Sequence, residues 1–241
     1  MNTLGIELQK EKRTGVIPVL LSVGILGAVY AYVNFIVRKE TLLNLPLAPM
    51  DVLLTQLYGM ILILNMFGMI AAACMIYHME FQGNAIKKMY MLPASVLEMY
   101  LCKLLILTAL LFAAVVVQNL ALLQIGMTNL PEGTFELWTL ARFTGYSFVT
   151  SMPVLAFMVW IASRSENTWI PLGTGVAVFL SGMALVNTEW KLLLIHPFVI
   201  MLKPAAAMSA EPDTTVVIAA LIETILFSGA GLCMAKYRRY E

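Results

Sequence analysis

Six apolar runs, at roughly 15–37, 53–77, 104–126, 140–163, 169–186 and 215–235, take up most of the sequence. About 20 such residues cross the hydrocarbon of a bilayer as a helix, the one open-chain form that satisfies every backbone polar group without water. A soluble fold is the alternative, and composition decides against it. Hydrophobic residues make up 61% of the 241 and charged residues 12%, about half the roughly 25% charged residues of soluble domains. The expected fold is therefore an all-α membrane protein with six transmembrane helices. The fifth is short, and Pro153 falls inside the fourth. The first run is too long for the apolar core of a signal peptide and no small-x-small cleavage site follows it, so it reads as a span.

Lysine and arginine placement sets the orientation. With the N-terminus in the cytoplasm, ten of the fifteen basic residues fall in internal segments and five in external ones. Both termini are expected inside. The 187–213 loop is then external. Its stretch "LLLIHPFVIML" is too short to cross and is broken by Pro197 and Pro204. A re-entrant or interfacial pair of short helices is expected, with Trp190 and Phe198 near the headgroups.

Several function classes drop out. A net charge of +1 offers no field for nucleic acid. Cys74, Cys102 and Cys233 are scattered without CxxC spacing, which suits neither a disulfide framework nor a metal site. No GxSxG or HExxH motif occurs, and His78 and His196 fall on opposite membrane faces, so no catalytic residue is assigned and an intramembrane enzyme is disfavoured. Glu223 lies mid-span in the last run, where a carboxylate is costly; it marks a substrate path or gate, or a structural hydrogen bond to Gln118 or Asn119. Those two polar residues of the third run are candidates for the same path. An ATP-independent secondary transporter or channel subunit is the rival class, although one intramembrane acid and no internal repeat fit it poorly. Gly175 and Gly182, seven apart, share a helix face that permits close approach. Arg142 reads as a snorkelling interface residue.

The polar interruption at 80–103, "EFQGNAIKKMYMLPASVLEMYLCK", is the most informative stretch. Gly83 permits a turn just after Glu80, where the second span ends. Over 84–91, Ala85, Ile86, Met89 and Tyr90 share one helical face while Lys87 and Lys88 point elsewhere, the pattern of a short amphipathic surface helix. Pro93 disfavours its continuation. "SVLE" at 95–98 then matches a capping box, so a new helix starts at Ser95 and runs past Lys103 into the third span. The loop is a structured elbow.

With Glu80, Gly83, Pro93, Ser95 and Lys103 in that order, the chain resembles the type-2 ATP-binding-cassette (ABC) exporter permeases. In that family a glutamate and glycine precede a coupling helix, followed by P-x-S/T and a lysine opening the third helix. "IELQKEKRT" at 6–14 is similar to the family's N-terminal amphipathic segment. The second internal loop, "SRSEN" at 163–167, departs from the pattern by its shortness.

The resemblance implies one permease domain over 1–241. Within it lie an amphipathic segment (1–14), a cytoplasmic coupling elbow (80–103) and an external loop (187–213). It implies a second permease chain, identical or homologous, with a seam along the first and fifth helices, and two separate ABC ATPase subunits that carry ATP and Mg. No cofactor is expected on this chain, which has no GxxxxGK[ST] loop. Glu80, Gly83, Ile86, Lys87, Lys88, Met89, Pro93, Ser95 and Lys103 would couple it to the ATPases. Overall likeness is greatest to lantibiotic and bacteriocin immunity permeases of the bacterial plasma membrane, which implies export of an amphipathic or lipidic cargo.

Overall fold

A computed structural model describes residues 3–81, 95–131, 133–188 and 190–237, and these are helical throughout apart from turns and connections. Helix α1 (Thr3–Thr14) is joined to α2 (Val16–Leu43) through Gly15, whose φ of +80° is open to glycine at little cost. A rod over Pro49–Phe81 follows, opening with a helical turn and a π-helical stretch (Val52–Gln56) and continuing as α3 (Tyr58–Phe81). After it come α4 (Val96–Asn129), α5 (Leu137–Ala162) and α6 (Trp169–Leu185). A 3₁₀ turn (Lys191–Ile195), α7 (Pro197–Ala206) and α8 (Thr214–Tyr237) complete the order.

Five segments are long and apolar enough to cross a bilayer: Val16–Leu42, Pro49–Phe81, Val96–Asn129, Leu137–Ala162 and Thr214–Lys236. The expected fifth span is the 17-residue α6, about 25 Å long at 1.5 Å per residue and so shorter than the roughly 30 Å hydrocarbon core.

The rod and α5 form the centre. Tyr58 and Phe143 meet edge to face at 5.1 Å, and Ile61, Leu62, Met69, Val154, Leu155 and Met158 are buried along these two helices. Helices α2 and α8 lie outside, with broad apolar faces including Ile36, Val37, Ile225 and Leu226 left exposed, as a surface in contact with lipid requires. On its inner side α8 holds α5 by aromatic contact, Phe227 stacking on Trp160 at 5.9 Å.

The segment between α6 and α8 forms a 3₁₀ turn and a short helix. Pro197 opens α7 and the His196 ring accepts the Val199 N–H at 3.4 Å, so this helix starts with its first turn capped. Phe198, expected near the headgroups, turns to the protein interior: it is fully buried, packed between Phe157 and Phe179. The run Phe198–Val199–Ile200–Met201 is buried against other helices, while Trp190, Leu192 and Ile195 stay exposed.

Gly175 and Gly182 are buried within the chain. A Cβ on Gly182 would stand 2.8 Å from the Phe198 Cβ, and one on Gly175 would stand 3.0 Å from Ile70 and Met158. Their face is therefore taken up by α3, α5 and α7, which removes these two glycines from any seam with a second chain.

Candidate functional site

Residues 82–94, which contain Gly83, Ile86, Lys87, Lys88, Met89 and Pro93, lie outside the described residues, so the amphipathic helix expected there is not assessed. Both flanks of that segment are described, and they converge. Glu80 is the penultimate residue of α3. On the far side Ser95 has extended backbone and its Oγ accepts the Glu98 N–H at 3.0 Å, which starts α4 as an N-cap. Two turns further on, that start places Lys103 facing the end of α3.

Lys103 is 1% exposed and is surrounded by acids. Its Nζ lies 2.5 Å from Glu7 Oε2, 2.8 Å from Glu80 Oε1 and 3.9 Å from Glu11 Oε1, and 5.7 Å from the centre of the Tyr77 ring. Glu7 and Glu11 come from α1. Their spacing of four puts both on one face of that helix, and they are its two most buried residues, at 1% each. The other oxygen of Glu7 takes Lys10 Nζ at 2.5 Å, and the Thr14 hydroxyl donates to Glu11 Oε2 at 2.7 Å. At the outer end of the contact Thr3 Oγ1 donates to Glu98 at 3.2 Å. One lysine thus fastens three elements: α1, the end of α3 and the beginning of α4.

The two α1 acids feel opposite balances. Burial acts to raise the Glu7 carboxyl, but Lys103 together with Lys10 outweighs it and holds the group below the ordinary carboxylate range. At Glu11 burial dominates, and the Thr14 hydrogen bond and the more distant Lys103 offset only part of it, so that carboxyl is raised. Three carboxylates around one fully buried ammonium hold the helices together only while the ammonium is present. Removing one partner of a buried pair costs about 3–5 kcal/mol, because the remaining charge is left without compensation.

The mid-span polar residues separate into two groups. Gln118 exchanges amide hydrogen bonds with Asn65, at 2.6 and 2.9 Å, and its Nε2 also donates to Val23 O at 3.2 Å. It therefore braces α2, α3 and α4. Asn119 donates to Val115 O at 2.9 Å, leaving its buried Oδ1 without a hydrogen bond among the described residues. Glu223 is 5% exposed and neither of its oxygens has a hydrogen-bond partner among those residues. The structural hydrogen bond from Glu223 to Gln118 or Asn119 is not formed, because Gln118 is fully engaged by Asn65 and Val23 and the Asn119 amide turns back on its own helix. Arg142 stacks over Trp138 at 5.1 Å, as an interface residue does.

Three members of these sites were not singled out in the sequence: Glu7, Glu11 and Asn65. The i, i+4 spacing of the acids and a lone amide within "LILNMF" were the available signals.

Among known protein families, the model of the ABC-2 family transporter proteins matches residues 3–183, a span that runs from α1 to within two residues of the end of α6 and holds the whole ion cluster. No curated protein and no solved structure matches the chain.

Proposed function

The chain belongs to the ABC-2 family of transporter proteins, and on that premise we propose that the Lys103 cluster is the joint through which partner ATPases move its spans. It is a multi-pass protein of the plasma membrane and a transport subunit, with the ATP chemistry on partner chains. In the proposed assembly two ATPases, carrying ATP and Mg, dock on the 82–94 segment, and a second permease chain, identical or homologous, completes the passage. Both termini and the cluster face the cytoplasm, in keeping with the bias of basic residues, and α6 makes the sixth crossing, its shortness met by local thinning of the bilayer.

The observation that carries this reading is that Lys103, on the flank after the 82–94 segment, binds Glu80 on the flank before it and Glu7 of α1 at once. A push on that segment then cannot be absorbed by splaying α3 from α4. It has to turn them together, as a rigid-body switch requires. Gly83, Ile86, Lys87, Lys88, Met89 and Pro93 form the docking surface in this reading, with Glu80, Ser95 and Lys103 as its anchor. Glu223 and the free oxygen of Asn119 serve the cargo path, and Gln118 braces it. The cargo is amphipathic or lipidic, of the lantibiotic type, for which apolar spans are better suited than for a small ion.

The test is to co-purify the ATPase with the tagged chain, reconstitute both, and measure export and ATP turnover for Glu80→Gln and Lys103→Met. ATP hydrolysis is expected to continue while export per ATP collapses, with membrane insertion intact. Unchanged export per ATP, or no co-purifying ATPase, defeats the reading.

A further inference from the structure

A groove of about 520 Å³ opens between α5, α6 and α8, lined by Trp160, Ile161, Arg164, Ser165, Ile170 and Met234. It lies at the same end of the molecule as the ion cluster, because Thr168 Oγ1, just beyond its rim, stands 2.7 Å from His78 Nδ1, two residues before Glu80. Arg164 forms no ion pair among the described residues. Its guanidinium and the Trp160 indole N–H both turn to the Met234 sulfur, 3.1 Å from the indole nitrogen, and a thioether is a weak acceptor. Among the described residues a planar cation with five donors is thus offered one soft side-chain acceptor, at an end of the bundle where the helices leave the hydrocarbon.

We propose that this groove binds an anionic phospholipid, with Arg164 taking the headgroup phosphate and one acyl chain lying along Ile161 and Ile170. The charge and the shape argue together. A guanidinium pairs with phosphate through parallel N–H···O bonds, basic pockets between spanning helices are suited to anionic headgroups, and the wall below Arg164 is apolar. Exposed Trp169 stands at the rim, the depth at which indole rings settle in bilayers. The inference needs only that the chain spans a membrane. It does not depend on cargo or on the ATPases.

The test uses the full chain in nanodiscs of equal phosphatidylglycerol and phosphatidylcholine, with retained lipid read by native mass spectrometry. The wild type is expected to retain phosphatidylglycerol roughly fivefold over phosphatidylcholine, the contribution of one well-placed basic residue near a membrane surface. R164Q is expected to lose the preference, R164K to keep part of it, and R142Q, at the opposite end, to keep all of it. Any of four results overturns the proposal. These are no preference in the wild type, an unchanged preference in R164Q, an equal loss in R142Q, or loss of preference on adding inorganic phosphate alone. Thr174 also lines the groove, and a T174C variant that crosslinks at once to a second copy of the chain also overturns the proposal, since a protein then fills the groove.

Discussion

Glu7 and Glu11 stand one helical turn apart, equally buried and facing the same lysine, yet their carboxyls shift in opposite directions. The difference is one of cations: Glu7 holds Lys103 at 2.5 Å and Lys10 as well, whereas Glu11 has Lys103 only at 3.9 Å. The signs follow from linkage. Glu7, held low, stabilises the docked α1 above its ordinary value of about 4.3, and that contribution is lost as pH falls through its depressed value. Glu11, held high, favours docking in its protonated form, and that contribution is lost as pH rises through its raised value. Glu7→Gln is therefore expected to lower the thermal midpoint in detergent at pH 7.5 by an amount equivalent to about 1.5–3 kcal/mol, the worth of a hydrogen bond to a charged group, with the gap closing below about pH 4. Glu11→Gln is expected to raise the midpoint at pH 7.5 by about 2 °C or more, and its advantage is expected to fade toward pH 4. A midpoint that moves the same way in both variants contradicts this assignment. The spacing of four in the sequence was a signal of a shared face for these two acids that went unread, and it does not tell that the face points inward. An acidic face is ordinarily read as solvated, and only the partner lysine 92 positions beyond Glu11 makes it a core.

At the scale of elements, what hydropathy could reveal was lipid contact and not helix length. The third run reads as 104–126, whereas α4 extends over Val96–Asn129, because its first two turns carry Glu98 and Lys103, which end an apolar run without ending the helix. The start of α4 was legible because the Ser95 cap is local chemistry. The burial of α7 was not, since an eleven-residue apolar stretch suits an interface or an interior equally until its neighbours are known. Helix α6 illustrates the same limit: its glycines mark close approach without saying to what. The structure assigns Gly182 to Phe198 of α7 while nothing lies within 4 Å of a Cβ at Gly173. Gly182→Val is therefore expected to destabilise the folded chain by about 1–3 kcal/mol through overpacking, and Gly173→Val to leave the midpoint within about 0.5 kcal/mol of wild type. Thermal unfolding of the two variants side by side checks the pair. Equal effects, or a larger loss for Gly173→Val, would place the close approach on the other face of α6.

Across the whole molecule, the ion cluster draws α1, α3 and α4 together at one end, while the Asn65–Gln118 pair joins α2, α3 and α4 in mid-span. Four helices thus share two polar fastenings at different depths, whereas α5 and α8 are held to each other by aromatic packing. Two polar ties fix relative rotation as well as distance, so the first four helices are expected to move as one body during transport. This predicts the effect of a deliberate lock. Thr3 and Glu98 lie on the outer edge of the α1–α4 contact, 3.2 Å apart at their oxygens, and neither belongs to the lysine cluster. In a background with Cys74, Cys102 and Cys233 replaced by alanine, Thr3→Cys with Glu98→Cys can be joined by a short bis-methanethiosulfonate crosslinker. If α1 rides with α4, crosslinking is expected to leave export per ATP unchanged. If α1 has to swing away from α4 about Gly15 during the cycle, the crosslink stops export and reducing agent restores it. The two outcomes distinguish a rigid joint from a latch that opens, and the buried carboxylates around Lys103 favour the first, since withdrawing Glu7 and Glu11 would leave the buried ammonium with Glu80 as its one counter-charge in the cluster.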